Sequence, residues 1–411
     1  MSSVELTIES IAAGGDGVAR SENVVAFIPR TAPGDRVRAR LELRKRFARG
    51  TLEEVIVPSE SRVQALCYHY RVDKCGGCQL QHMTYEAQLD AKRGIIRDSL
   101  IRIGKRTIEN LPEIHPSEKQ WRYRRKLTLA MRRGGDGQWV IGLRPYDDPN
   151  VVFQLQDCPI TDERVMNIWR DIMEARRFFP PTNELRASVR LVTETDISVV
   201  MEGGDRWPAK SAFFAEVSAI TALWWKPENK PRSLVAERTR VAATASFAQI
   251  NADVAQALHD YVLDRARAHR PETLVDAYAG TGSTAIPLAQ DGIRVVAIES
   301  DRDAADQCAR QLPQGSRAIA ARVEDAIADV LPADVVLINP PRTGIDERVS
   351  SALESVSSPP RAIVYSSCDP GTLARDLARM PRYRIESIRA FDMFPQTAHV
   401  ETVCELVPGE A

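Results

Sequence analysis

The chain has 411 residues, 44% of them apolar and 27% charged, with 55 basic against 56 acidic side chains. That length exceeds one ordinary domain and leaves room for two or three. The composition is that of a soluble globular protein rather than a fibrous or disordered one. No stretch reaches the roughly 18 apolar residues of a membrane span, and MSSVELTIES lacks the basic and apolar regions of a signal peptide, so a cytoplasmic protein with no membrane partner is expected.

The first elements are short alternating runs, VELTIESI, NVVAFIPR, DRVRARLEL and GTLEEVIVP, separated by Gly, Pro and Asp. They predict a small closed β-barrel over 1–58. Its basic residues, Arg36, Arg38, Arg40, Arg44, Lys45, Arg46 and Arg49, crowd one segment around Phe47. A second run, WRYRRKLTLAMRR at 121–133, interleaves Trp121 and Tyr123 with arginine. Guanidinium groups suit phosphates and exposed rings suit bases, so both runs point to a polyanion despite a net charge near −1.

Residues 59–240 open with a cysteine-rich stretch. Cys67, Cys75 and Cys78, with Cys158 far downstream, lie among seven cysteines in all. In a reducing compartment such a set favours metal ligation over disulfides, and spacing alone admits either a zinc or an iron–sulfur centre. YEAQLDAKRGIIRDSLIRIG predicts a helix over 85–104 from its i, i+4 apolar spacing. Thereafter strand patterns dominate, giving a central, mostly β domain with one clear helix in DERVMNIWRDIMEARRF.

Beyond residue 241 strands and helices alternate, as in a Rossmann-like, doubly wound α/β domain over 241–411. The strand TLVDAYA runs into Gly280-Thr281-Gly282-Ser283 and a helix, and RVVAIES ends in Glu299 about twenty residues on. Glycines admit a ligand close to the backbone, and an acidic strand end can accept both hydroxyls of a ribose. With no third glycine in dinucleotide spacing and no Gly-Lys-Ser/Thr, the expected ligand is S-adenosylmethionine. Asp325 is a candidate for its adenine amine, and Asn339 of LINPPRT stands at the fourth strand end. Cys368 follows AIVYSS at a strand end that opens a helix, where amides are expected to lower its pKa and favour the thiolate.

SSCDPGTLARDL and FPQTAHVETVCEL resemble the RNA uracil-C5 methyltransferase family. The resemblance implies that Cys368 adds to the pyrimidine and that Glu401 removes a proton; His399, two residues before Glu401, is read as orienting or structural, and Glu405 as a surface strand residue. It extends to SFAQIN, where Gln249 matches a cofactor-contacting glutamine, and to DAYAGTGSTAIPLA, where Tyr278 and Ser283 fall at cofactor positions. NPPRTG departs from the family's usual aspartate at Asn339. CGGCQLQH and QDCPI are similar to the 4Fe-4S site of the ribosomal branch, which implies a cluster on Cys67, Cys75, Cys78 and Cys158. The barrel looks like a TRAM domain, an RNA-binding module. By the same analogy, the helix at 85–104 is expected to pack on the C-terminal domain.

The activity so implied is S-adenosylmethionine-dependent methylation at C5 of a flipped uridine in 23S rRNA, with no obligate protein partner. A transfer-RNA substrate is the alternative. An adenine-N6 methyltransferase, suggested by Asn339-Pro340-Pro341, and a non-catalytic RNA-binding protein have no use for Cys368 and Glu401 together.

Overall fold

A computed structural model describes residues 3–21, 24–239 and 250–409, and they form three sheets. The first holds six strands from Ser3–Thr7 to Ala48–Val57, curled round a narrow interior of Ala19, Ala26, Ala39 and Ala48 with Ile8 and Ile28. Register shifts at Arg36/Val37 and Arg38/Ala39 sharpen the bend of the longest pair. The outer face is less cationic than its composition suggests. Arg38 pairs with Glu5 and Glu54, Arg40 with Glu53, and Arg44 with Glu42.

The second sheet has seven strands. In Lys126–Arg133 the residues Leu127, Leu129 and Met131 face inward while their neighbours alternate outward, the period-2 pattern of a half-buried strand. The helix Glu163–Glu174, capped by Asp162 on the Arg164 amide, covers that face with Val165, Ile168, Trp169 and Ile172. Tyr123 is part of this core and donates to the Pro395 carbonyl at 3.0 Å, so it offers no stacking surface to a base.

The third sheet carries the strands Thr273–Ala277, Arg294–Glu299, Arg317–Ala320, Val335–Ile338, Ala362–Ser367, Tyr383–Phe391 and Glu401–Pro408. Numbered along the chain they stand in the order 3-2-1-4-5-7-6, the first five parallel and Glu401–Pro408 antiparallel to both neighbours. Strand order reverses between Thr273–Ala277 and Val335–Ile338, and open α/β sheets bind ligands in the crevice above such a reversal. The edge is completed from far upstream by Glu113–His115, parallel to Tyr383–Phe391.

The helix Tyr85–Arg102 packs between the same sheet and the barrel, and it touches the helix Pro370–Ala378. Its lower buried face is apolar, with Ile95, Ile96 and Leu100, but its upper buried face is Gln88 and Lys92. Apolar spacing therefore accounts for half of its contact. The other half is polar because it grips the loop that carries Asp392 and Gln396.

Candidate active site

The first strand of the third sheet ends at Ala277, and the chain turns through Tyr278, Gly280 and Gly282, all at positive φ. At Gly282 a Cβ would lie 2.6 Å from the Cys308 sulfur, so only glycine lets the loop fold down onto that buried thiol. The Gly280 amide donates to Glu299 at 2.9 Å, tying the loop to the second strand end. Below it Asp276 is buried and accepts from Thr284; burial raises its pKa to about 6 against the hydrogen bonds that lower it.

Above these strand ends opens a crevice of about 1100 Å³ in which Tyr278, Glu299 and Asn339 meet Glu324, Gly344 and Arg375. Three of the sequence-derived cofactor residues are thus brought together here, with the glycine loop beside them. Asp325 is turned to solvent and paired with Arg348 at 2.7 Å; Glu324, one residue earlier, lines the crevice. Ser283 is exposed, and its carbonyl accepts from His259 at 2.9 Å. Gln249 lies outside the described residues.

Cys368 and Glu401 are joined by register. Ser367 faces Thr402 across the antiparallel pair, so Cys368, just past the end of one strand, lies near Glu401 at the start of the other, close enough for the Glu401 charge to act on the thiol. Arg342, from the loop after Asn339-Pro340-Pro341, acts electrostatically on both groups.

The thiol departs from expectation. Burial raises the Cys368 pKa, the Glu401 charge raises it further, and the Arg342 cation lowers it by less. Helix amides do not dominate, since Asp369 already caps the helix by accepting from the Thr372 amide. Burial likewise lifts Glu401 to about 7, opposed only by Arg342. At neutral pH this site holds a largely protonated thiol beside a carboxyl near its midpoint, a pair that can hold and move one proton. His399 is exposed as a residue, and partial desolvation of its ring, with the nearby cations Arg342, Lys92 and Arg124, lowers its pKa. Glu405, expected on the strand surface, is buried, where it accepts from Ser387 at 2.6 Å and pairs with His269 at 2.6 Å.

Cys67, Cys75, Cys78 and Cys158 are all buried in the core of the second sheet and line one cavity of about 130 Å³, where Leu127, Leu155 and Ile160 meet Gln81, Arg124 and Asp157. Among the described residues no group of three or more His, Cys, Asp or Glu side chains is arranged to hold a metal ion.

Comparison with known proteins bears on both regions. The TRAM domain family matches residues 2–52, and the family described as tRNA (Uracil-5-)-methyltransferase matches residues 309–407. An uncharacterized RNA methyltransferase of Thermosynechococcus vestitus is 30% identical over 98% of this chain and 97% of its own length. One from Listeria monocytogenes is also 30% identical, with the same coverage. The fold is similar to that of the Pyrococcus abyssi tRNA (uracil-54, C5)-methyltransferase solved with S-adenosyl-L-homocysteine, with a TM-score of 0.70, 23% identity, and coverage of 98% of this chain and all of that one.

Proposed function

This chain belongs to the RNA uracil-5 methyltransferase family as an S-adenosylmethionine-dependent enzyme with a TRAM domain, and from that premise we propose that Cys368 and Glu401 methylate a uridine at C5 through a covalent adduct. The observation that carries the reading is the antiparallel pairing that ends at Ser367 and Thr402 and so brings Cys368 within reach of the Glu401 charge.

The chemistry needs both groups. Uracil C5 is a weak nucleophile, and addition of the Cys368 sulfur to C6 gives C5 enolate character. Bound S-adenosylmethionine supplies a methyl group electrophilic enough for such a carbon. Tyr278, Glu299 and Asn339 line the crevice and fit its nucleoside part, with Gly280 and Gly282 admitting it close to the backbone. Glu401 then takes the C5 proton, the C5–H electron pair restores the ring double bond, and the thiolate leaves. Arg342 favours the charged form of each group in turn. The target base must leave its stack for a thiol to reach C6, so a flipped uridine is required.

The proposed substrate is 23S rRNA, supported by the likeness of the cysteine segment to the ribosomal branch. The wording of the matching family and the name of the archaeal structure favour tRNA as the second reading. The four cysteines are proposed to hold a 4Fe-4S cluster. The support for this is the likeness of the cysteine segment to the ribosomal branch and the single cavity that all four thiols line, since thiolates hold such clusters. Its contribution would be to hold this core together, since the methyl transfer has no redox step.

RNA tritiated at uridine C5 tests the reaction. Tritium should reach water with wild-type protein and not with Cys368→Ala, and methylation without release overturns the proposal. Parallel assays on 23S rRNA and tRNA transcripts decide the substrate. Iron and sulfide analysis after anaerobic purification decides the cluster, with stoichiometric zinc counting against it.

A further inference from the structure

The strand that begins with Glu401 is reached through residues 392–400, whose own bonds make little more than one turn, at Phe394 to Thr397. The bonds that fix this approach come from residues 79–123. The Gln79 and Leu80 amides both donate to the Gln396 carbonyl, at 3.1 and 3.0 Å. The Gln88 side chain accepts from the Gln396 amide at 2.9 Å and donates to its side-chain oxygen at 3.0 Å. Lys92, fully buried, pairs with buried Asp392 and donates to the Phe394 carbonyl at 3.0 Å, while Tyr85 donates to Asp392 at 2.8 Å.

Gln396 is the point on which these contacts converge. It is buried and sits at φ +70°, a conformation that is strained for a non-glycine residue and persists only where its surroundings hold it. Gln79 also links the grip to the cysteines, because its side chain donates to the Gly76 carbonyl between Cys75 and Cys78 at 2.9 Å. The barrel closes on the same point. At Gly15, with φ +88°, a Cβ would stand 2.4 Å from the Gln79 Cβ and 3.3 Å from that of Ala398. Ile11, Ala32, Leu80, Met83 and Ile95 pack with Ala398 in one small core.

We propose that Gln79, Gln88 and Lys92 form a clamp that positions Glu401, so that the cysteine-rich segment and the barrel act on proton removal and not on methyl transfer. The inference rests on the reading of Glu401 as the base. None of the three touches the crevice or the thiol. They act through the loop, and a carboxylate misplaced by about 1 Å would lose roughly 10- to 100-fold in rate. The step affected is the one in which the C5 proton passes to Glu401 and the sulfur–C6 bond breaks, so the adduct that precedes it accumulates.

Single-turnover reactions with C5-tritiated RNA separate the two steps, with adduct read on a denaturing gel and release read as tritium in water. Gln88→Ala should form adduct within about twofold of the wild-type rate while tritium release slows between about 10- and 100-fold. Gln79→Ala should shift the same ratio less, and it decides the matter alone if Gln88→Ala does not fold. Adduct formation and release falling in proportion, or neither changing, would overturn the clamp. Glu401→Gln serves as the reference: trapped adduct upholds the base assignment, and wild-type release overturns that assignment and the clamp with it.

Discussion

The strand end that carries Cys368 and the core that holds Cys67, Cys75, Cys78 and Cys158 put the same side chain in opposite surroundings. Cys368 is half-buried, faces a carboxyl and lies under the influence of Arg342. The four others are buried among leucine and isoleucine, and burial pushes Cys75 up to about 12. Burial raises the pKa in both places, so thiol acidity alone does not separate the proposed nucleophile from the proposed ligands. What differs is company: the Glu401 carboxyl and the Arg342 cation in one case, three other thiols around one cavity in the other.

The widest separation is expected from the thiols themselves. Cys368→Ala should remove methylation by on the order of 10⁴-fold or more and leave the thermal midpoint within about 2 °C, as read by tritium release and calorimetry. Glu401→Gln should cost about 10²- to 10⁴-fold in turnover while covalent RNA–protein adduct builds up on a denaturing gel. Cys78→Ser should behave oppositely to Cys368→Ala. Bound iron and sulfide should fall, stability should drop by about 2–3 kcal/mol, and S-adenosylmethionine binding in the crevice should persist in calorimetric titration. A Cys78→Ser protein as stable as wild type would erase the contrast.

The legibility of the two regions also differs. Strand ends at Glu299, Asn339 and Cys368 could be read from TLVDAYA, RVVAIES, DVVLINPP and AIVYSS, because buried parallel strands are near-continuous apolar runs. The antiparallel insertion of Glu401–Pro408 beside Ala362–Ser367 is a long-range pairing that no local pattern encodes, yet it is what sets Glu401 against Cys368. Asp325 and Glu324 are adjacent carboxylates whose order along a helix start gives no hint of which faces inward. Nothing local marks Gln88 and Lys92 as buried, since burial of such groups depends on partners some 300 residues away. The basic run of the barrel is partly neutralised for the converse reason, as the glutamates that pair with Arg38 and Arg40 lie on a neighbouring strand.

The smallest effect in this set sharpens the comparison at the carboxyl beside Cys368. Glu401 has its pKa raised from 4.5 to about 7, chiefly by burial, so between those values the folded chain binds a proton that the unfolded chain has released. Stability from this group is therefore greatest below about pH 4.5 and falls as pH rises towards 7, the reverse of a salt-bridged carboxylate. At pH 8 the buried charge opposes folding, and Glu401→Gln should raise stability there by roughly 1–3 kcal/mol, with no gain at pH 4.5. Activity runs the other way, because only the ionised carboxylate can take the C5 proton, so release should fall with pH below about 7. Denaturant melts of both proteins at the two pH values check the sign. A stability gain that did not depend on pH would assign the effect to packing and leave the carboxyl without the burial that tunes it as a base.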